Sequence, residues 1–416
     1  MVMMAIVWVI VGGGAAGRAA ARVLAAYCHP EEVLLLDREA TVCPRLHIPQ
    51  YLEEGKYPRP APDGGVRRVR AEVVSLEPSA RRLVLSDGRK VSYGRLLLAT
   101  GAVPALPPLP GARLRGVISL WEWEEARRLA VFLRRGAVRA VVVGAGPLGV
   151  RAALMLTRMG CQVAVVEALP QVLPGLVSED MAAVVRDRLR AVGVEVHCAE
   201  EVQGFEGDGR LRAVRTSRRR MPCQLAVLAT GTRPDAMLAA EAGLEVRQGV
   251  VVNEHLRSSD PNVWAAGDVA EVPDAVLGRP RCYALWSAAA EQGRIAALNM
   301  AGIPRRYPPA VPFNSLDVAG LRVVSVGYPC LVGIDRVHLR SRSGGVALLS
   351  FREQTLVGAA LLGTVDGGGT LYHLIRYRRL VPLPRAGQDL QRWLAGVWVP
   401  WLRRAGLREP GWTAVS

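Results

Sequence analysis

The sequence predicts an α/β fold: two doubly wound parallel-sheet units in tandem, followed by a smaller α+β region. Three signals predict it, and each occurs twice, about 130 residues apart. The first is an apolar run that leads directly into a glycine-rich turn. Residues 6–11 enter Gly12-Gly13-Gly14-Ala15-Ala16-Gly17, and residues 140–143 enter Gly144-Ala145-Gly146-Pro147-Leu148-Gly149. The second is a short apolar run ending in an acid, Leu34-Leu35-Leu36-Asp37 and Val163-Ala164-Val165-Val166-Glu167. The third is Ala-Thr-Gly, at Ala99-Thr100-Gly101 and Ala229-Thr230-Gly231, with each threonine 63 residues past its acid. A single GxGxxG is weak evidence. Two copies, each with a strand before, a helix after and an acid closing the next strand, indicate two Rossmann-like dinucleotide sites on one chain.

The residue types follow from the chemistry. The first glycine of each motif turns the chain sharply out of the strand, the second lets backbone approach a pyrophosphate, and the third lets the helix pack close to the strand. The helix N-terminus then offers free N–H groups and partial positive charge to the phosphates. Asp37 and Glu167 are expected to accept hydrogen bonds from ribose hydroxyls. A carboxylate at Glu167, followed by the uncharged Ala168, favours NAD(H) over a 2′-phosphorylated nucleotide.

A further segment separates the two sites. Ser258-Ser259-Asp260-Pro261-Asn262-Val263-Trp264-Ala265-Ala266-Gly267-Asp268 resembles the flavin-binding segment of two-dinucleotide flavoprotein reductases. Together with both glycine motifs, residues 93–101, 229–234, 286–299 and 313–321, it makes residues 2–363 resemble the pyridine nucleotide–disulfide oxidoreductase superfamily. The branch that fits best holds the NADH:rubredoxin reductases, the NADH oxidases and the large subunit of NADH-dependent nitrite reductase. The resemblance implies FAD on the first domain, with Asp268 reaching the ribitol chain and Gly267, Arg38 and Val73 beside the cofactor. It also implies that the helix starting near Trp286 points its N-terminus at the flavin; for Trp286 itself, flavin contact and core packing both stay open. The segment Cys43-Pro44-Arg45-Leu46-His47 resembles the stretch beside the flavin ring, with Arg45 as the cation near its reactive edge. A cation there would stabilise negative charge on the reduced ring.

Three features depart from that family's pattern. The seven cysteines form no CxxC or CxxxxC pair, so a dithiol relay is not expected; Cys43 alone, next to an arginine, is the candidate reactive thiol. Arg151 stands where the family has a glutamate that pairs with the basic residue near the flavin, so NADH reduction of the flavin is open at this position. The stretch between Tyr51 and Val69 is short and rich in proline and glycine, which argues against a helix there and for a more open flavin.

Composition sets the remaining bounds. The 416 residues suit two or three domains, half of them apolar as buried parallel strands require. No apolar run is long enough for a membrane span, and the N-terminal run enters GxGxxG without a basic leader, so a cytoplasmic protein is expected. The net charge of +16 is carried almost wholly by arginine; Lys56 and Lys90 are the only lysines. It reads either as compositional bias or as a surface that steers an acidic electron carrier. No nucleic-acid motif accompanies it, Arg218-Arg219-Arg220 reads as a hairpin turn, and no metal site is expected.

The predicted organisation is an FAD-binding domain at 1–110 and 241–304, an NAD(H)-binding domain at 111–240, and a C-terminal α+β domain at 305–385. By the resemblance this last domain can form a homodimer. A tryptophan-rich tail at 386–416 has Leu390, Trp393, Leu394, Val397, Trp398 and Trp401 at helical spacing, interrupted by Pro400. It is read as docked on its own domain, as a partner-subunit surface or as a membrane-surface contact. The function implied is hydride transfer from NADH to flavin N5, with electrons passed on to an iron–sulfur or rubredoxin-type protein. Two other readings stay open: an NADH oxidase or peroxidase using Cys43, and a docking subunit of a larger redox complex.

Overall fold

Two parallel five-stranded sheets form around the two glycine motifs. The computed structural model describes residues 8–39, 45–56, 63–134, 138–364, 366–385 and 387–404. In the first sheet the order is Val263–Ala265, Arg95–Leu98, Trp8–Val11, Val33–Asp37, Arg67–Arg70, with every neighbouring pair parallel. The second sheet runs Val194–Cys198, Gln162–Glu167, Arg139–Val143, Leu225–Leu228, Val117–Ile118, again all parallel. The central strands are continuous in apolar residues because both faces are covered. Ile10, Leu35 and Leu97 in the first sheet, and Val142, Val165 and Val227 in the second, are fully buried. Each such side chain contributes about 1.5–3 kcal/mol on leaving water.

The repetition goes beyond the motifs. Each sheet is interrupted by a three-stranded antiparallel excursion between its acid strand and its Ala-Thr-Gly. These are Val73–Glu77, Arg82–Leu85 and Lys90–Ser92 in one copy, and Val202–Gly207, Leu211–Thr216 and Arg220–Pro222 in the other. The arginine triplet falls at the second excursion's last hairpin, where the Thr216 hydroxyl accepts from the Arg218 and Arg219 amides.

After each Ala-Thr-Gly the chain crosses to the other copy. Ala102–Pro104 pairs antiparallel with Thr232–Pro234. The Thr100 hydroxyl donates to the Asp235 carbonyl and the Thr230 hydroxyl to the Ala105 carbonyl, each at 2.7 Å. The Ala105 amide donates to the Gly231 carbonyl and the Asp235 amide to the Gly101 carbonyl, each at 2.9 Å. Every bond of this ribbon has its counterpart shifted by 130 residues. The ribbon therefore fixes both motif ends together, which four isolated hydrogen bonds in separate loops would not do.

These elements belong to one compact unit, Met1–Ala168 with Gly193–Ala310. It also holds a helix, Ile48–Glu54, which runs three residues past Tyr51 into the stretch expected to hold none; the other described residues of that stretch form no helix. Pro49 lies in the first turn, where a missing N–H costs nothing, and Gly55 closes the helix at φ +70. Edge-to-face packing of Tyr51 on Trp123 at 5.5 Å and the Arg158–Glu53 ion pair at 2.7 Å seat it between the helices Trp123–Leu133 and Pro147–Arg158.

The second unit is Leu169–Val192 with Val311–Ser416. Its sheet is antiparallel, in the order Phe313–Val318, Leu321–Gly327, Thr355–Leu362, Val346–Arg352, Asp335–Arg340. The helix Leu390–Arg404 is unbroken at Pro400, contrary to the sequence expectation; an internal proline removes one backbone bond and bends a helix without always ending it. Leu390, Trp393 and Leu394 are buried. The Trp393 ring meets Phe351 edge-on at 6.1 Å, and its N–H donates to the Pro382 carbonyl at 2.9 Å. Of the three readings of the tail, docking on its own unit accounts for these side chains. Trp393→Ala is expected to destabilise this unit by about 3–5 kcal/mol, measured by chemical denaturation. Among the described residues no helix is long and apolar enough to cross a membrane.

Candidate dinucleotide sites and a charged cluster

The two glycine loops share one geometry. Gly12 and Gly144 take φ +106 and +101, which only glycine adopts without strain, and a Cβ on either would strike the carbonyl oxygen of Ala99 or Ala229 at 2.2 and 2.5 Å. A Cβ on Gly17 or Gly149 would lie 1.9 Å from the carbonyl oxygen of Gly12 or Gly144. These two glycines hold each helix against its own turn. Gly14 and Gly146 are different: both have ordinary extended backbone, and no protein atom lies within 4 Å of an added Cβ. The helices Ala15–Tyr27 and Pro147–Arg158 begin there with no side-chain cap and no acid in the first turn. Open space before an uncapped helix start, with Ala15 and Ala16 in one copy and Pro147 and Leu148 in the other, fits a phosphate.

The acids are held beside these loops. Asp37 pairs with Arg68 at 2.7 Å and accepts from the Glu39 amide at 3.2 Å. Glu167 is buried and accepts from the Ala145 amide, inside the second glycine loop, at 2.7 Å. Arg38 is exposed and pairs with Glu122 at 3.4 Å. Val73 starts the first excursion and is half-buried.

Gly267 meets the first loop. Gly267 has φ +87, its amide donates to the buried Gln292 side chain at 2.7 Å, and a Cβ on it would touch Ala16 and Ala289. Gly293 packs so tightly that a Cβ would sit 2.1 Å from the Ala16 carbonyl oxygen. The helix Trp286–Met300 is thereby locked against the helix Ala15–Tyr27. Asp268 follows at the helix-free turn, where burial pushes its carboxyl up to about 6 while Arg45 pulls it back. Trp286 opens its helix 54% exposed, which removes core packing as its role.

Arg45 is held on two sides. It pairs with Glu39 at 2.6 Å and lies over the Trp121 ring at 5.3 Å. Trp121 in turn donates its ring N–H to the Ala102 carbonyl at 3.0 Å, next to Gly101. Arg151 is exposed on the second nucleotide helix and has no ion-pair partner among the described residues. The counter-charge of Arg45 is thus Glu39. The sequence reading missed Glu39, Trp121, Arg68 and Gln292. Glu39 was within reach of it, lying two residues past Asp37 and six before Arg45.

Cys43 lies outside the described residues. Among the described cysteines none forms a disulfide. Burial pushes the thiol of Cys223 up to about 11 and that of Cys282 up to about 12, and it also raises those of Cys28, Cys161 and Cys330. Raised thiols are poor nucleophiles. No metal-binding cluster occurs among the described residues.

Comparison with known proteins agrees with this geometry. The model of the family described as pyridine nucleotide-disulphide oxidoreductase matches residues 7–293. The chain is 29% identical over 389 residues to an NADH oxidase of Methanocaldococcus jannaschii, covering 85% of this chain and 87% of that one. It is 28% identical over 380 residues to rubredoxin-NAD(+) reductase of Pseudomonas putida, covering 87% and 97%. Its fold is similar to a ferredoxin reductase structure from Rhodopseudomonas palustris, with a TM-score of 0.84 at 26% identity, over 94% of this chain and 99% of that one. The chain belongs to the pyridine nucleotide-disulphide oxidoreductase family. It is an FAD-dependent oxidoreductase with NAD(H) as its second dinucleotide.

Proposed function

We propose that this protein oxidises NADH and passes the electrons to an iron–sulfur or rubredoxin-type carrier. The observation that carries the reading is the pair of glycine loops in one compact unit, each with open space before an uncapped helix, and only the first joined by Gly267. FAD is assigned to residues 1–110 and 241–304, and NADH to 111–240.

Bound FAD supplies the exchange between a two-electron hydride donor and a one-electron acceptor. The chain's part is binding and electrostatics. The turns at Gly12–Gly17 and Gly144–Gly149 present amides to the two pyrophosphates; Ala99, Thr100 and Gly101, with Thr230 and Gly231, line the strand ends behind them. Asp37 and Glu167 stand at the ribose positions, and Asp268 at the ribitol. The N-terminus of the helix at Trp286 directs partial positive charge outward, and Arg45 adds a full one.

A protein acceptor is supported by the resemblance to rubredoxin and ferredoxin reductases, by the exposed Trp286 and by the net charge of +16. A surface of that charge would draw an acidic carrier quickly and with strong salt dependence. Unpaired cysteines suit a cytoplasmic site, and a homodimer through residues 305–385 completes the assignment. The test is anaerobic titration of the purified protein with NADH, followed by visible absorption. A flavin band that bleaches with about one equivalent of NADH is expected. A band that stays oxidised overturns the reading and marks Arg151 as the sign of an altered nicotinamide site.

A further inference from the structure

The cluster around Arg45 joins groups that are far apart in the chain. Glu39 lies two residues past the first acid strand, Arg45 opens the turn before the helix Ile48–Glu54, and Trp121 precedes the helix Trp123–Leu133. Arg45 and Glu39 are each mostly covered, at 32% and 21% side-chain exposure, so their 2.6 Å pair is shielded from solvent more than an ordinary surface pair is. The Trp121 backbone amide is fixed by the Glu125 carboxylate at 2.9 Å and its ring N–H by Ala102, so the aromatic face offered to Arg45 is anchored at both ends. Arg45 is also the cation whose charge reaches Asp268.

We propose that Glu39 is a positioning residue for the flavin site: it holds Arg45 against Trp121 and sets how much of the Arg45 charge is felt at the Asp268 turn. The proposal rests on the assignment of FAD to that turn. Arg45 favours the electron-rich form of a cofactor bound there, and Glu39 partly cancels it. Glu39→Gln keeps an oxygen facing the guanidinium and removes only the charge, so the two-electron midpoint potential rises. Arg45→Met removes the cation, so the potential falls.

The test measures the midpoint potential of bound FAD by equilibration with redox dyes, in wild type and four variants. Glu39→Gln is expected to shift the reduction equilibrium about tenfold, equivalent to about +30 mV for a two-electron couple. Glu39→Asp, which keeps the charge, restores the wild-type value. Arg45→Met shifts it in the opposite direction, and Glu39→Gln added to Arg45→Met gives a smaller rise than in the wild-type background, the difference being what Glu39 does through Arg45. An unchanged potential in Glu39→Gln, or an equal rise in the Arg45→Met background, overturns the proposal, because a merely structural role does not depend on Arg45. If Glu39→Gln does not fold, Glu39→Ser is measured in its place: a rise supports the proposal and an unchanged potential overturns it. Wild-type protein that takes up no FAD overturns the cofactor assignment, a result distinct from bound flavin with an unmoved potential.

Discussion

Gly14→Val is expected to give a folded protein that is purified without flavin colour, whereas Gly146→Val is expected to stay yellow and lose NADH affinity. The two positions occupy the same place in their loops, with extended backbone that valine adopts, and an added Cβ meets no atom of the surrounding protein within 4 Å. The folded state has little reason to object. Glycine is only a modest helix cap, and its replacement there costs about 1 kcal/mol or less, small beside a typical stability of 5–15 kcal/mol. The space the side chain enters is the space assigned to a pyrophosphate. Displacing that group forfeits its amide hydrogen bonds, a loss of at least about a hundredfold in affinity, or about 2.7 kcal/mol. Circular dichroism with flavin absorbance checks the first variant, and the NADH concentration dependence of flavin bleaching checks the second. Gly17→Val gives the contrast. Its Cβ would lie 1.9 Å from the Gly12 carbonyl oxygen, so that variant loses the fold along with the cofactor. Retention of FAD by folded Gly14→Val would sink the first-loop assignment.

What the sequence makes legible depends on how local the cause is. Both sheets are legible because a strand buried on two faces must be apolar throughout, as Val9 to Val11 and Val141 to Val143 are, and because the glycine spacing obeys a steric rule confined to six residues. The last turn of the short helix Ile48–Glu54 is misjudged from composition, since Gly55 reads as a breaker until its place at the end of the helix is known. Trp286 is ambiguous for another reason: a tryptophan at a helix start is equally compatible with core and surface, and its exposure is a tertiary fact. The cluster of Glu39, Arg45 and Trp121 is least legible. Its charges carry no periodicity, and Trp121 arrives from beyond the first Ala-Thr-Gly through the ribbon that pairs Ala102–Pro104 with Thr232–Pro234. The repeated threonines hint at that ribbon; their reciprocal bonds to Asp235 and Ala105 are a tertiary fact.

Asp268→Asn is expected to stabilise the flavin-free protein at pH 7 while weakening FAD binding, two effects of opposite sign from one oxygen. Burial raises the Asp268 carboxyl from an ordinary 3.8 to about 6. The folded chain therefore binds a proton more tightly than the unfolded chain, so stability falls as pH rises from about 4 to about 6 and stays reduced above that window. The penalty at pH 7 is on the order of 1–3 kcal/mol, from about 1.4 kcal/mol per unit and allowing for partial solvent access. The uncharged amide avoids it, so the melting temperature of deflavinated Asp268→Asn exceeds that of wild type at pH 7 and converges with it near pH 4. A ribitol hydroxyl donating to a carboxylate contributes about 1.5–3 kcal/mol, and the amide offers a weaker acceptor, so FAD affinity falls about tenfold to a hundredfold. The same proton governs wild-type binding, which should strengthen as pH rises through 6. Thermal melts of the deflavinated proteins and flavin fluorescence titrations separate the two quantities. A variant that melts lower and binds FAD unchanged would make Asp268 a structural residue of the turn. The opposite pair of signs would show a carboxylate kept at the cost of stability for the ligand it meets.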